Sequence, residues 1–300
     1  MEKRIVISGA SGLVGAALVP ALENKGYEVL VLVRRNSRAP HEISWDPSAN
    51  EIDLSQLNDV YGFINLSGEN VAGSRWTPDV KKRILASRIE TTSLLVEAVN
   101  RIKNKPTVFL NASATGFYGD RGDEVLGDSA KPGKGYLSDV CIAWENEAMK
   151  VSPLGIRTCL MRFGIILSSQ GGALKKMLPL FKAGLGGALG DGAQYMSWIT
   201  LTDVVRGIEF LLENQAMSGP VNFTVPEAIS NKEFSIALAR VLKKPCFVNA
   251  PAFALKMVFG EMAESLLLAG SRVEPQKLKG AGFEFLYPEI SSALKYCLSL

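Results

Sequence analysis

Near its start the chain reads Gly9-Ala10-Ser11-Gly12-Leu13-Val14-Gly15, three glycines spaced three apart. A β-branched run, Arg4 to Ile7, precedes them, and Ala16 to Glu23 follows with the composition of a helix. A strand, a glycine-rich turn and a helix make a cradle for a dinucleotide pyrophosphate. Gly9 permits the tight turn. Gly12 lets backbone N–H groups approach phosphate at the helix start, and Gly15 lets helix and strand pack closely. The bare string also fits an ordinary turn; its place between a first and a second strand favours the cradle.

The second strand, Glu28 to Val33, ends in Arg34-Arg35. The residue after this strand faces the adenosine ribose, where a carboxylate suits a 2′-hydroxyl and an arginine suits a 2′-phosphate. Arg34, supported by Arg35, therefore points to NADP(H), against the plain reading of a solvated turn. A later strand, Val60 to Leu66, places Leu66, Ser67 and Gly68 at a carboxyl end, where ligands of such sheets sit. Pro78 to about Lys103 reads as a long amphipathic helix with Ile84, Ile89, Leu95, Val96 and Val99 toward the sheet. Its Lys81, Lys82 and Arg83 read as a solvated face, and Arg88 is better placed to reach inward.

Strands over Thr107–Asn111 and Arg157–Phe163 flank a helix over Leu137–Met149, and Gly164-Ile165-Ile166-Leu167 closes the series. Such regular alternation requires parallel strands joined by right-handed crossovers. The expected fold class is α/β: a Rossmann-type doubly wound parallel sheet with a smaller α+β part on the substrate side. Residues 1–170 form the dinucleotide-binding domain, with 193–225 returning to it. Residues 171–300 form the smaller part. Within it, Gly184 to Gly192 reads as flexible and glycine-dense, and Trp198 to Val205 as a strand end with a capped helix start.

The totals narrow the function classes. A net charge of +3 among 300 residues gives no basis for nucleic acid or an anionic membrane. Four cysteines, Cys141, Cys159, Cys246 and Cys297, lie far apart, which fits reduced thiols rather than disulfides or a metal site. No apolar run is long enough for a bilayer, and the first strand leaves no room for a signal peptide. The expectation is a cytoplasmic protein with a small-molecule substrate and no metal. Its oligomeric state is not legible. The single histidine, His41, lies away from any motif and reads as a surface residue.

With these residues in view the chain resembles the extended and atypical short-chain dehydrogenases/reductases. The resemblance rests on Gly9-Gly12-Gly15, on Asn65-Leu66-Ser67-Gly68, and on Ala112-Ser113 with Tyr118-Gly119. More narrowly, the chain is similar to epimerase-family proteins of the 39U member 1 type. That narrower likeness rests on Ser67-Gly68-Glu69-Asn70, Arg75-Trp76, Ser87 to Thr92, Trp144-Glu145 and Gly184 to Gly187. Trp198-Ile199, Pro275 to Leu278 and Gly282-Phe283 add the small carboxyl-terminal domain of that family, expected over 250–298.

The resemblance implies NADPH held by Gly9, Ser11, Gly12, Leu13, Val14 and Gly15, by Val33-Arg34, Leu66-Ser67, Arg88 and Ile166. It also implies a tyrosine with a lysine four residues on, beside a serine or threonine that orients substrate. Here Tyr136 is followed at that distance by Val140, and the register set by Trp144-Glu145 gives Leu137 and Cys141 instead. The dyad is absent in either register. Ser113 keeps the serine position, so the candidate catalytic residues are Ser113, Tyr118 and Tyr136. Thr200 stands where family members carry a histidine. Two functions stay open: an NADP(H)-dependent epimerase or oxidoreductase with an altered proton donor, and a non-catalytic NADPH-binding regulator acting through a protein partner.

Overall fold

The computed structural model describes residues 3–300. β1 (Arg4–Ser8), α1 (Leu13–Asn24), β2 (Glu28–Val33), β3 (Glu42–Asp46) and β4 (Glu51–Ile52) open the chain. β5 (Gly62–Asn65), α2 (Pro78–Arg101) and β6 (Val108–Ala114) follow. A 3-10 turn over Thr115–Tyr118 and β7 (Val125–Leu126) lead to α3 (Tyr136–Met149), β8 (Arg157–Phe163) and β9 (Ile165–Leu167). Then come α4 (Gly172–Lys182), β10 (Tyr195–Met196), β11 (Trp198–Thr200), α5 (Leu201–Glu213) and β12 (Gly219–Phe223). The chain closes through β13 (Ile229–Ser230), α6 (Asn231–Val241), α7 (Ala252–Phe259), β14 (Arg272–Val273), α8 (Gln276–Gly280) and α9 (Ile290–Cys297).

Eight strands form one sheet in the order β12-β8-β6-β5-β1-β2-β3-β4. Its neighbours pair in parallel, apart from the antiparallel β3–β4 hairpin. Side chains alternate across the sheet with the period of the pleat. Ile5, Ile7, Ile64 and Leu110 bury one face against Leu18 and Leu22 of α1 and Ile208 and Leu211 of α5. Val6, Phe63 and Phe109 bury the other face against Leu94, Leu95 and Val99 of α2 and Ala148 of α3. This is a doubly wound, Rossmann-type sheet.

From β1 the chain steps outward through β2 on one side, and it resumes at β5 on the other. Strand order reverses between these two, so their carboxyl ends flank the crevice where ligands of such sheets bind. The glycine turn sits in that crevice. Gly9 has φ +73°, and a Cβ there would stand 2.7 Å from the Leu66 carbonyl oxygen at the end of β5. A Cβ at Gly15 would collide with the Gly9 carbonyl oxygen. Both glycines are needed for close approach.

One expectation gives way here. The Gly184–Gly192 stretch is packed rather than loose. Gly186 lies under the Phe181 ring, Gly187 abuts the Val248 carbonyl, and the Ala188 N–H donates to Asn249 Oδ1 at 3.0 Å. The glycines are there because side chains would not fit, which composition alone does not distinguish from freedom. Among the described residues no helix is long and apolar enough to cross a membrane.

Gly15→Ala is expected to lower stability by about 1–3 kcal/mol, the usual cost of overpacking. Urea unfolding with an unchanged dependence on denaturant checks it; equal midpoints would contradict the close approach.

Candidate functional site

The site begins where α1 begins. Gly12 offers no side-chain cap, and no acidic residue occupies the first turn. The opening N–H groups of the helix therefore have no intrahelical partner and no carboxylate nearby. Ser11 and Gly12 are exposed, while Leu13 and Val14 are half-buried. Gly171 packs on Leu13, and Gly172 lies against the Ile166 carbonyl. That connection brings the end of β9, and with it Ile166, beside the glycine turn.

At the end of β2, Val33 is half-buried and Arg34 is exposed, with no salt bridge among the described residues. Arg35 differs from its expected role. Its two terminal nitrogens donate to Glu42 of β3 at 2.8 and 2.6 Å. The Arg35 bonds and the Arg38 N–H hold the Glu42 carboxyl down at about 2, so the pair stays charged at neutral pH. A neighbouring strand has claimed this arginine, and Arg34 has no such partner among the described residues.

The ends of β1 and β5 are locked to the middle of β6 by a buried amide. The Ser8 hydroxyl donates to Asn65 Oδ1 at 2.6 Å, and Asn65 Nδ2 donates to Asn111 Oδ1 at 2.7 Å and Thr92 Oγ1 at 2.9 Å. The Ser67 N–H also reaches Asn65 Oδ1, at 3.2 Å, which fixes the loop carrying Leu66, Ser67 and Gly68. Arg88 of α2 turns inward to this loop, as expected. It donates to the carbonyls of Ile84 and Glu69 at 2.8 and 3.1 Å, rests against Gly68, and lies 5.0 Å over the Trp144 ring. It has no carboxylate partner among the described residues.

The three expected catalytic groups fare differently. Ser113 is 2% exposed, and its hydroxyl donates to Glu145 Oε1 at 2.7 Å. Glu145 is itself gripped by Arg162 through two bonds of 2.7 Å. Arg162 Nη1 donates to the Tyr118 hydroxyl at 2.9 Å, and its guanidinium lies 3.5 Å from the Phe117 ring centre. Tyr118 is fully buried and donates to Asn222 Oδ1 at 2.6 Å. Burial pushes its phenol above the ordinary value. Ser113 and Tyr118 therefore serve a buried ion pair and are closed off from solvent. No local spacing announces this, because Glu145 and Arg162 come from α3 and β8.

Tyr136 does reach open space, at the start of α3. Its hydroxyl donates to the Lys81 carbonyl at 2.6 Å, and its ring meets Trp76 edge-on at 5.0 Å. The nearby Lys81 ammonium lies 4.5 Å from the ring centre and is paired with Glu261 at 2.8 Å. Burial raises the Tyr136 phenol, the opposite of what an acid–base tyrosine needs. Leu137 and Cys141 hold the other register, and burial pushes the Cys141 thiol up to about 11, leaving it neutral. Thr200 is buried and caps α5, accepting the Asp203 N–H at 3.1 Å. His41 is exposed.

A cleft of about 300 Å³ opens between the 3-10 turn, the start of α3 and residues 264–271. Thr115, Gly116 and Leu137 form one wall, and Tyr195, Ser265 and Ser271 another. The second wall is suspended by buried bonds. The Ser197 hydroxyl donates to the Ser271 carbonyl at 2.7 Å, and Asn222 Nδ2 donates to the Glu274 carbonyl at 2.9 Å. Asp128 accepts the N–H groups of Asn222 and Lys277 at 2.6 and 2.9 Å. Sequence reasoning missed Thr115, Tyr195 and Ser271, which come from separate segments and share no motif.

A doubly wound sheet with a glycine turn at its reversal, and a cleft against the same strand ends, is the architecture of the Rossmann-type dinucleotide-binding folds. The chain belongs to the NAD dependent epimerase/dehydratase family, whose model matches residues 5–225. Residues 250–297 match the domain of unknown function DUF1731. The chain is 40% identical over 292 residues to an epimerase family protein of Mycobacterium bovis, covering 97% of this chain and 96% of that one. It is 36% identical over 302 residues to the chloroplastic epimerase family protein SDR39U1 homolog of Arabidopsis thaliana, covering 98% and 86%. Human epimerase family protein SDR39U1 (isoform 2), crystallised with NADPH, superposes with a TM-score of 0.90 at 28% identity, covering 99% of this chain and 100% of that one.

Glu145→Gln removes one charge of the buried pair and strands the other. Its expected cost is about 3–5 kcal/mol in urea unfolding. A loss below about 1 kcal/mol, the scale of a surface pair, would contradict the assignment.

Proposed function

We propose that the chain binds NADP(H) at the glycine turn and presents it to a small carbonyl or carbinol compound in the cleft. The observation that carries this reading is the set of unclaimed donors at the sheet reversal. These are the free N–H groups opening α1 and the unpaired Arg34 at the end of β2; Arg88, bonded to the carbonyls of Ile84 and Glu69, adds a positive charge that no carboxylate offsets among the described residues. The residues fit the cofactor. Gly9 and Gly15 keep backbone close to backbone where any Cβ would intrude, so the helix start stays open to a pyrophosphate. Arg34 would hold a 2′-phosphate; Val33, Leu66, Ser67 and Ile166 would flank the nucleotide. NADPH in the human relative's crystals supports the phosphorylated cofactor.

When bound, the nicotinamide supplies or accepts a hydride. The chain's own part is to bind, orient and move a proton, and here it is weakly equipped. No tyrosine in the sequence is followed by a lysine four residues on. Ser113 and Tyr118 are committed to the Glu145–Arg162 pair, and the Tyr136 hydroxyl is bonded to a carbonyl. A positioned acid–base group contributes about 10²–10⁴-fold, so turnover on common nucleotide sugars should be slow by that order. The reading is an NADP(H)-dependent oxidoreductase or epimerase with a non-standard proton donor. Its four cysteines are free thiols, which suits a cytoplasmic setting.

Arg34→Ala is expected to cost NADPH roughly ten- to a hundredfold in affinity, the worth of one charge-assisted bond. NADH affinity should hardly change. Fluorescence titration of both nucleotides tests this; equal affinities in the parent protein would reject the assignment.

A further inference from the structure

The net charge of +3 is not spread evenly over the chain. Residues 172–190 and 234–260 contain no aspartate or glutamate. The first stretch carries Lys175, Lys176 and Lys182, and the second Arg240, Lys243, Lys244 and Lys256. All seven are exposed. The chain has 33 cations and 30 carboxylates, so outside these stretches 26 cations face 30 carboxylates. The rest of the molecule is net negative, and its positive charge is gathered here. Lys256 alone has a carboxylate partner, Glu264 at 2.8 Å, in a pair exposed enough for solvent to screen it.

The fold sets the two stretches side by side. Pro245, directly after Lys244, packs on Gly184, two residues after Lys182. The Ala250 N–H donates to the Ala188 carbonyl and the Gly190 N–H to the Ala250 carbonyl, each at 2.9 Å. α7 leaves directly from this ladder. The exposed side chains among the lysines are apolar. Phe247, Phe253 and Met257 are 75%, 70% and 72% exposed, and Leu185 and Val258 are more than half exposed. Phe253 and Met257 stand one turn apart on α7 and share a face, while Leu255 is buried. The two phenylalanines alone leave roughly 300 Å² of apolar surface in water, already the scale of the largest patch on a typical monomer.

The composition of this face selects what covers it. A second copy meeting it across a two-fold axis would set like patch against like. Seven cations would then oppose seven, with no carboxylate in either stretch to answer them. Protein interfaces favour tyrosine, tryptophan and arginine and are depleted in lysine. Here six of the seven cations are lysines, and neither stretch holds a tyrosine or tryptophan. Phenylalanine and leucine ringed by lysine suit the boundary of a bilayer instead. The apolar side chains enter the headgroup layer, and the lysines reach back to its negative charge.

We propose that the face formed by residues 180–190 and 243–258 docks the protein on an anionic bilayer. Phe247, Phe253 and Met257 enter the headgroup layer, and Lys182, Lys243 and Lys244 meet the lipid headgroups. The docking is independent of the NADP(H) reading.

Sedimentation of the full chain with lipid vesicles tests it. One set is phosphatidylcholine alone, and the other has phosphatidylserine added to about a third. Binding is expected on the anionic vesicles only, falling at least tenfold as ionic strength rises from about 0.1 to about 0.5 M. Lys243→Glu with Lys244→Glu should weaken it by more than about tenfold, since each lysine near such a surface is worth about fivefold. Phe253→Ser with Met257→Ser should cost about tenfold through the lost apolar contact. Lys103→Glu, at an exposed lysine outside both stretches, should leave binding unchanged. All these variants should keep the parent's melting temperature and NADPH affinity; the lipid and salt comparisons use the parent protein alone, so they stand whether or not a variant folds. No vesicle binding, or equal binding to both vesicle sets, would overturn the proposal. So would an equal loss in Lys103→Glu. Binding to polyglutamate but not to vesicles would overturn it in favour of an acidic protein. A dimer in light scattering that Phe253→Ser with Met257→Ser dissolves, without vesicle binding, would overturn it in favour of a second copy.

Discussion

The ion pair between Glu145 and Arg162 is the contact on which the carboxyl side of the sheet depends. Both side chains are almost fully enclosed, at 7% and 4% exposure. Two charges in such a place are tolerated only when their remaining donors and acceptors are satisfied as well. The neighbours supply that satisfaction. Ser113 fills a lone pair of Glu145, while the Tyr118 hydroxyl and the Asp128 carbonyl take the outer guanidinium nitrogen of Arg162. Tyr118 then passes the connection to Asn222, and Asn222 to Asp128 and the Glu274 carbonyl. A single network thus joins β6, α3, β8 and β12 to the carboxyl-terminal segment that walls the cleft.

That commitment has a chemical consequence. The serine at the superfamily's substrate-orienting position, and the candidate Tyr118 beyond the end of β6, are consumed in holding the strand ends together. What stays open is a different set. The first N–H groups of α1, the guanidinium of Arg34 and the hydroxyls of Thr115, Tyr195, Ser265 and Ser271 have no side-chain or ion-pair partner among the described residues. Paired polar groups mark where this molecule is built, and the proposed NADP(H) site draws on the unpaired ones. The contrast between Arg34 and Arg35 is the same division in miniature: adjacent in sequence, one is free and the other is clamped by Glu42.

Features legible in the sequence are those whose causes are local. β2 falls on Glu28–Val33 because an uninterrupted β-branched and leucine run announces a buried parallel strand. The glycine turn was legible for a related reason, since its spacing encodes the turn and the close helix approach together. α5 starts after Thr200, whose hydroxyl caps it, as the Thr-Leu-Thr-Asp pattern suggests. Roles set by distant partners were not legible. Ser113 is diverted by a residue 32 positions away, and Tyr118 by one 104 positions away. The cleft walls are a product of topology, and the packed Gly184–Gly192 stretch reads as loose only until Phe181 and Val248 are placed against it.

A crystal structure of the NADPH complex is the most direct test of this division between structural and binding groups. The expected result places the pyrophosphate on the opening turn of α1 and the 2′-phosphate against Arg34, with the Ser113 and Tyr118 hydroxyls still bonded to Glu145 and Arg162. A complex in which the ion pair has opened, with Ser113 or Tyr118 turned toward the nicotinamide, would contradict it.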